Sequence, residues 1–186
     1  MSVSLKGKTL HIDMAASLQA LAEAEGLQPA LSDAIQREEL TAHGQAVVPW
    51  LLAASGDSLL ATALLALDAE LEMQNGAAQS YGNWLALRAT AGEPPVVAGL
   101  RFSTAARLDC TIGQGVWLAV ARWPAGRTRV AIGGWGFAPL LAMDGREASG
   151  ILEAAENTLM LASHGEVNDD ARLAVVRELV KQLALI

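Results

Sequence analysis

Cys110 is the one thiol in the chain, and it becomes a nucleophile or metal ligand only if something lowers its pKa. Leu108, Asp109 and Thr111 surround it and Arg107 is the single nearby cation, so a buried, inert thiol is expected. The three histidines, His11, His43 and His164, stand far apart, and none lies one helical turn from another ligand in a zinc pattern. No metal site is expected. There is no Gly-x-Ser-x-Gly elbow, and Ser163-His164 before Gly165 reads as a helix-end turn rather than half of a hydrolase triad. The carboxylate pairs Glu38-Glu39 and Asp169-Asp170 are adjacent, so they point to different helix faces. They read as solvated charge and a helix cap, not as an acid/base dyad. No catalytic residue is assigned.

Gly133-Gly134-Trp135-Gly136 is the glycine-rich segment that could approach a ligand closely. A dinucleotide fingerprint opens a helix, whereas Phe137-Ala138-Pro139 follows here, so a sheet-end bulge or tight turn is the favoured reading. Trp50, Trp84, Trp117, Trp123 and Trp135 are many beside one Tyr and two Phe, and they serve equally as core anchors, interface anchors or ligand walls.

The elements that must position these residues follow from periodicity and punctuation. Residues 8–12 read as a strand, and Ser17 as the N-cap of a helix ended by Gly26. Pro29 opens a second helix that runs to about Leu40. Residues 46–67 are long enough to span a bilayer, but Pro49, Gly56 and Asp57 interrupt them, so two buried helical segments joined by a turn are expected. The second, 59–67, is apolar on nearly all sides and is capped by Asp57 or Ser58. Strand alternation then appears at 69–73, 83–88, 96–102, 116–122 and 128–132, with antiparallel pairing across the short links. Residues 148–161 are helical, and Asp169 or Asp170 caps a last helix. Helices, then strands, then helices is an α+β order.

Bulk properties bound the function. With 186 residues, 52% hydrophobic and 18% charged, the chain carries too much apolar surface to stay unfolded. A net charge of −7, with 13 Lys plus Arg against 20 acids, lacks the clustered positive field that phosphate backbones require, so no nucleic-acid partner is expected. A single cysteine makes no internal disulfide, and residues 1–10 show no signal-peptide pattern. A cytoplasmic setting without a membrane partner is the expectation.

Three segments, in order, resemble the FAD-binding (medium) subunit of the molybdenum hydroxylases, the xanthine and carbon monoxide dehydrogenase family. Leu10-His11-Ile12 through Ser17-Leu18-Gln19-Ala20-Leu21-Ala22 is similar to the family's strand "LRIGA" and helix "TTLAEL". Ala63 to Leu71, "ALLALDAEL", is close to "ALLALDAEV", and Val130-Ala131-Ile132-Gly133-Gly134 with Pro139 resembles "IALGGVAPTP". The resemblance spans about Lys8 to Leu185 and implies a split near Ala105. Residues 1–104 would be a truncated FAD-binding subdomain of antiparallel strands and helices. Residues 105–186 would be a domain like the C-terminal domain of the carbon monoxide dehydrogenase flavoprotein, a three-stranded antiparallel sheet plus helical bundle.

The departures from that pattern set the functional expectation. The family places a further subdomain, with a glycine-rich loop around the FAD pyrophosphate, before this strand; only a few residues precede Leu10, so that loop is expected to be absent. The family's other flavin loop reads roughly "QIRNRGTIGGN" and then "ASPAGD". Here it becomes Glu39 to Pro49 and then Ala54-Ser55-Gly56-Asp57, in which only Gly44, Ser55 and Asp57 have counterparts. Val47, Val48 and Pro49 add bulk and remove a backbone donor where a diphosphate needs convergent N–H groups. The resemblance with these changes implies a non-catalytic interaction or assembly component, binding FAD weakly or not at all, that associates with itself or with molybdenum-hydroxylase subunits. The alternative it implies is an FAD-binding electron-transfer subunit completed by another polypeptide.

Overall fold

The architecture is organised by one fully buried helix and the two sheets that contribute to the core around it. A computed structural model describes residues 2–39, 44–53, 58–88, 96–134, 136–146, 150–162 and 169–184. In chain order the elements are β1 (Val3–Lys6), β2 (Thr9–Asp13), α1 (Leu18–Ala22), α2 (Pro29–Glu39), α3 (Val47–Ala53), α4 (Leu59–Ala66), β3 (Glu70–Met73), β4 (Ala78–Ser80), α5 (Tyr81–Leu87), β5 (Val97–Ser103), β6 (Arg107–Gly113), β7 (Val116–Arg122), β8 (Thr128–Gly134), β9 (Phe137–Gly145), α6 (Ile151–Ala162) and α7 (Asp169–Ala184). The fold is α+β, with one five-stranded sheet ordered β1-β2-β5-β3-β4 and one four-stranded sheet ordered β6-β7-β8-β9. Every strand pairing among the described residues is antiparallel, and the hairpins β1–β2, β3–β4, β6–β7, β7–β8 and β8–β9 have the short links that such pairing allows.

Helix α4 is apolar on every side, and all of its residues are buried. Ser58 caps it, its Oγ accepting from Ala61 N–H at 2.9 Å. Each fully buried leucine of α4 contributes roughly 1.5–3 kcal/mol. The second sheet receives this helix on a face of small residues. Side chains alternate along a strand, so Ala119, Ala121 and Ala131 turn toward the core that holds α4, while Val116, Leu118, Val120, Val130 and Ile132 turn to the other face. There they meet Ala155 and Leu159 of α6 and Val176, Leu179 and Leu183 of α7. The first sheet ends at Ser103 and the second begins at Arg107, yet the core around α4 draws Ala106, Leu108 and the three alanines from the second sheet.

The structure corrects several expectations. Residues expected as a strand at 83–88 belong to helix α5: Ser80 caps it, and Tyr81 and Trp84, three apart, are buried on one face while Leu87 is exposed. The second sheet has four strands rather than three, because β6 and β9 extend it on both sides. Glu38 is buried at 5% exposure rather than solvated, and its Oε1 accepts from Leu60 N–H at 3.3 Å in the first turn of α4. The glycine-rich segment is a sheet-end bulge, as favoured. The β8–β9 register shifts between Ile132 and Gly134, and Gly134 has φ 97°. Gly133 continues the small-residue face, where a Cβ would collide with the Thr62 hydroxyl of α4. Trp135 lies outside the described residues.

Candidate functional site

Of the three residues matched to the family's flavin loop, Gly44 is described, and Ser55 and Asp57 lie outside the described residues. Gly44 is exposed in a turn with φ 77°, and nothing stands within 4 Å of where its Cβ would be. Two residues on, the chain is drawn to the core. Ala46 bridges to Ser17, and Val47 and Val48 are fully buried at the start of α3.

An anion at a helix N-terminus needs free N–H groups in the first turn. In α3 these are largely committed. Val47 N–H donates to the Ala16 carbonyl at 2.8 Å and Pro49 has no N–H, which leaves Val48 N–H before Trp50 N–H closes the first bond of the helix on the Ala46 carbonyl at 3.1 Å. The described residues of this stretch therefore offer few first-turn donors to a diphosphate.

A charged cluster that the sequence did not single out joins α4 to the second sheet. Arg129 lies on β8, only 5% exposed. Its Nη1 donates to Asp68 Oδ1 at 2.7 Å and to Asp144 Oδ2 at 3.0 Å, and its Nη2 to the Leu65 carbonyl at 3.1 Å. Arg127 lies two residues earlier, bonded to Asp144 Oδ1 and Oδ2 at 2.8 and 2.7 Å and to Asp68 at 2.8 Å. The hydrogen bonds from Arg127, then the charge of Arg129, hold the Asp144 carboxyl below the usual carboxylate range despite partial burial. Burial pulls the Arg129 guanidinium down while its two carboxylates oppose that. The cluster is a clasp, with each charge answered by an opposite one.

Beside it, a cleft of about 410 Å³ is lined by His11, Arg101, Glu70, Trp123 and Arg127. His11 Nδ1 lies 3.2 Å from Glu72, and Arg101 pairs with Glu70 at 2.7 Å. Arg127 lies over the Trp123 ring at 5.1 Å. Among the described residues no His, Cys, Asp and Glu cluster could hold a metal; His43 and His164 lie outside them. Cys110 is half-buried, and burial, then Asp109 and Asp33, push its thiol up to about 12. That leaves it without a thiolate near neutral pH. No helix among the described residues is long and apolar enough to cross a membrane.

Among solved structures, a chain of reconstituted CO dehydrogenase from Oligotropha carboxidovorans is similar, with a TM-score of 0.61 and 13% identity over 87% of this chain and 67% of that one. At that identity the likeness is one of fold. No protein-family profile matches the chain, and no curated protein matches it.

Proposed function

We propose that the chain is a flavin-subunit-like member of the molybdenum hydroxylase group that acts as a non-catalytic interaction or assembly component and binds FAD weakly or not at all. The observation that carries this reading is the commitment of α3's first-turn donors: Val47 N–H is spent on the Ala16 carbonyl and Pro49 has none. A diphosphate held there would lose part of its solvent shell and find few donors in return, a cost of several kcal/mol for a charged group. The fold likeness to a CO dehydrogenase chain supports kinship with that group. We also read the chain as two regions, residues 1–104 and 105–186, since the sheet changes between Ser103 and Arg107.

The fold likeness also favours a second reading, an electron-transfer subunit whose flavin site is completed by another polypeptide. The two separate by colour. Protein purified without added cofactor gives a spectrum free of flavin bands under the first reading, alone and in complex with any partner. Under the second it is yellow only in the complex, and that result would refute the first.

A further inference from the structure

The outer edge of β6 is already bonded to a peptide-like group. Gln28, just ahead of α2, donates from its Nε2 to the Ala106 carbonyl, and its Oε1 accepts from Leu108 N–H at 2.7 Å. A neighbouring strand would make the same pair of bonds with one of its own residues. The edge is thus spaced for strand-like pairing, and Gln28 occupies it at Ala106 and Leu108. Because β7 pairs on the other side and Leu108 N–H points outward, the N–H groups of Cys110 and Ile112 point outward as well. Neither has a hydrogen-bond partner among the described residues. Both residues line a cavity of about 390 Å³ whose opposite wall is α2, at Pro29, Asp33 and Arg37.

Two charges on that wall indicate what would fit. Asp33 and Arg37 are exposed, one helical turn apart, and neither makes an ion pair within the described residues. Asp33 lies near enough for its charge to act on the Cys110 thiol, which sets the carboxylate across from the free edge. Four helical residues rise about 6 Å. Two strand residues rise about 6.6 Å and point to the same side, so one strand laid along β6 can present side chains to both charges.

The geometry points to an extended segment of a partner polypeptide, added as a further strand on β6, with a basic and an acidic residue two positions apart that meet Asp33 and Arg37. Main-chain pairing supplies the attachment and the two charges fix its register. This extends the interaction role proposed above but rests on β6 and α2 alone, so its test and a flavin titration can fail independently.

The test uses the full chain and two synthetic six-residue peptides of alternating threonine and valine, with a lysine and a glutamate two apart in one order or the other. One order should bind roughly tenfold tighter than the other, and its addition should slow amide exchange at Cys110 and Ile112. Asp33→Arg combined with Arg37→Asp should reverse the preference. Cys110→Pro, a substitution an edge strand tolerates where the N–H faces outward, should weaken binding roughly tenfold, while Cys110→Ala should not. If Cys110→Pro fails to fold, amide exchange and the charge reversal decide alone. No binding, equal binding of both orders, an unreversed preference, or protection confined to other amides would overturn the proposal. A dimer of the chain that itself buries the Cys110 and Ile112 amides would do the same.

Discussion

Asp68 Oδ1 accepts a hydrogen bond from Arg129 Nη1 at 2.7 Å across 61 residues of chain, tying the end of α4 to the middle of the second sheet. Asp68 sits at φ 57°, a left-handed conformation that Asp and Asn tolerate better than most residues. Removing its carboxylate leaves Arg129, whose side chain is 6% exposed, dependent on Asp144. Asp68→Ala should therefore cost about 3 kcal/mol, the scale for breaking a buried pair from one side. Asp68→Asn, which keeps the backbone tolerance and an acceptor oxygen, should cost less. A urea melt in which Asp68→Ala keeps the wild-type midpoint would contradict the clasp.

The same clasp sets a pH dependence. Arg127 and Arg129 depress the Asp144 pKa in the folded chain. A carboxyl with a folded pKa below its unfolded value contributes stability that is present above about pH 4 and is lost as pH falls through the folded value. Asp144→Asn should thus lower the denaturation midpoint more at pH 7 than at pH 2. Equal losses at both pH values would exclude an electrostatic origin.

Tyr81 is buried, stacks on Trp84 with centroids 6.0 Å apart, and its hydroxyl has no hydrogen-bond partner among the described residues. Burial pushes its phenol well above the usual range. An unsatisfied buried hydroxyl costs about 1–3 kcal/mol. Tyr81→Phe should therefore leave stability unchanged or raise it by about 1 kcal/mol, and a clear loss in thermal melting would show that the hydroxyl is satisfied in solution.

The bulge glycines differ from each other in a measurable way. A Cβ on Gly134 would collide with the Gly115 carbonyl, and its φ of 97° is costly for any other residue. At Gly136, with φ 80°, a Cβ meets nothing within 4 Å. Gly136→Ala should cost roughly 1–2 kcal/mol from the backbone alone, and Gly134→Ala distinctly more. Equal midpoints for the two variants would refute the close approach.

What the sequence revealed of this fold came from local signals. Ser17, Pro29 and Ser58 mark helix starts because caps act within one turn. β7 and β8 were readable as short runs of aliphatic residues bounded by turn chemistry, and both are buried along almost their whole length. The edge strands hid for physical reasons. β6 carries Arg107, Asp109 and Thr111 on its more polar face, which blurs its apolar pattern, and β9 contains Pro139 and two register shifts, devices that protect that edge and erase its alternation. Tyr81, Gly82 and Asn83 open a helix of about two turns, too short for its apolar spacing to stand apart from strand alternation.

The candidate site was legible in composition and not in geometry. Gly44 and the bulk of Val47 and Val48 could be read directly. The engagement of Val47 N–H by Ala16 depends on two segments meeting at Ser17 and Ala46, and no local pattern announces that contact. The Asp68–Arg129 pair escaped for the same reason: each residue looks like an ordinary surface charge until the fold joins them.

The central claim is that α3's first turn has too few free donors to seat a dinucleotide. The direct measurement is titration of the purified chain with FAD, followed by flavin absorbance and by calorimetry. The account predicts unshifted flavin bands and no saturable heat at about 10 µM FAD, a concentration that would reveal a complex of roughly −7 kcal/mol or tighter. A one-to-one complex at or below that concentration, with a perturbed flavin spectrum, would contradict it.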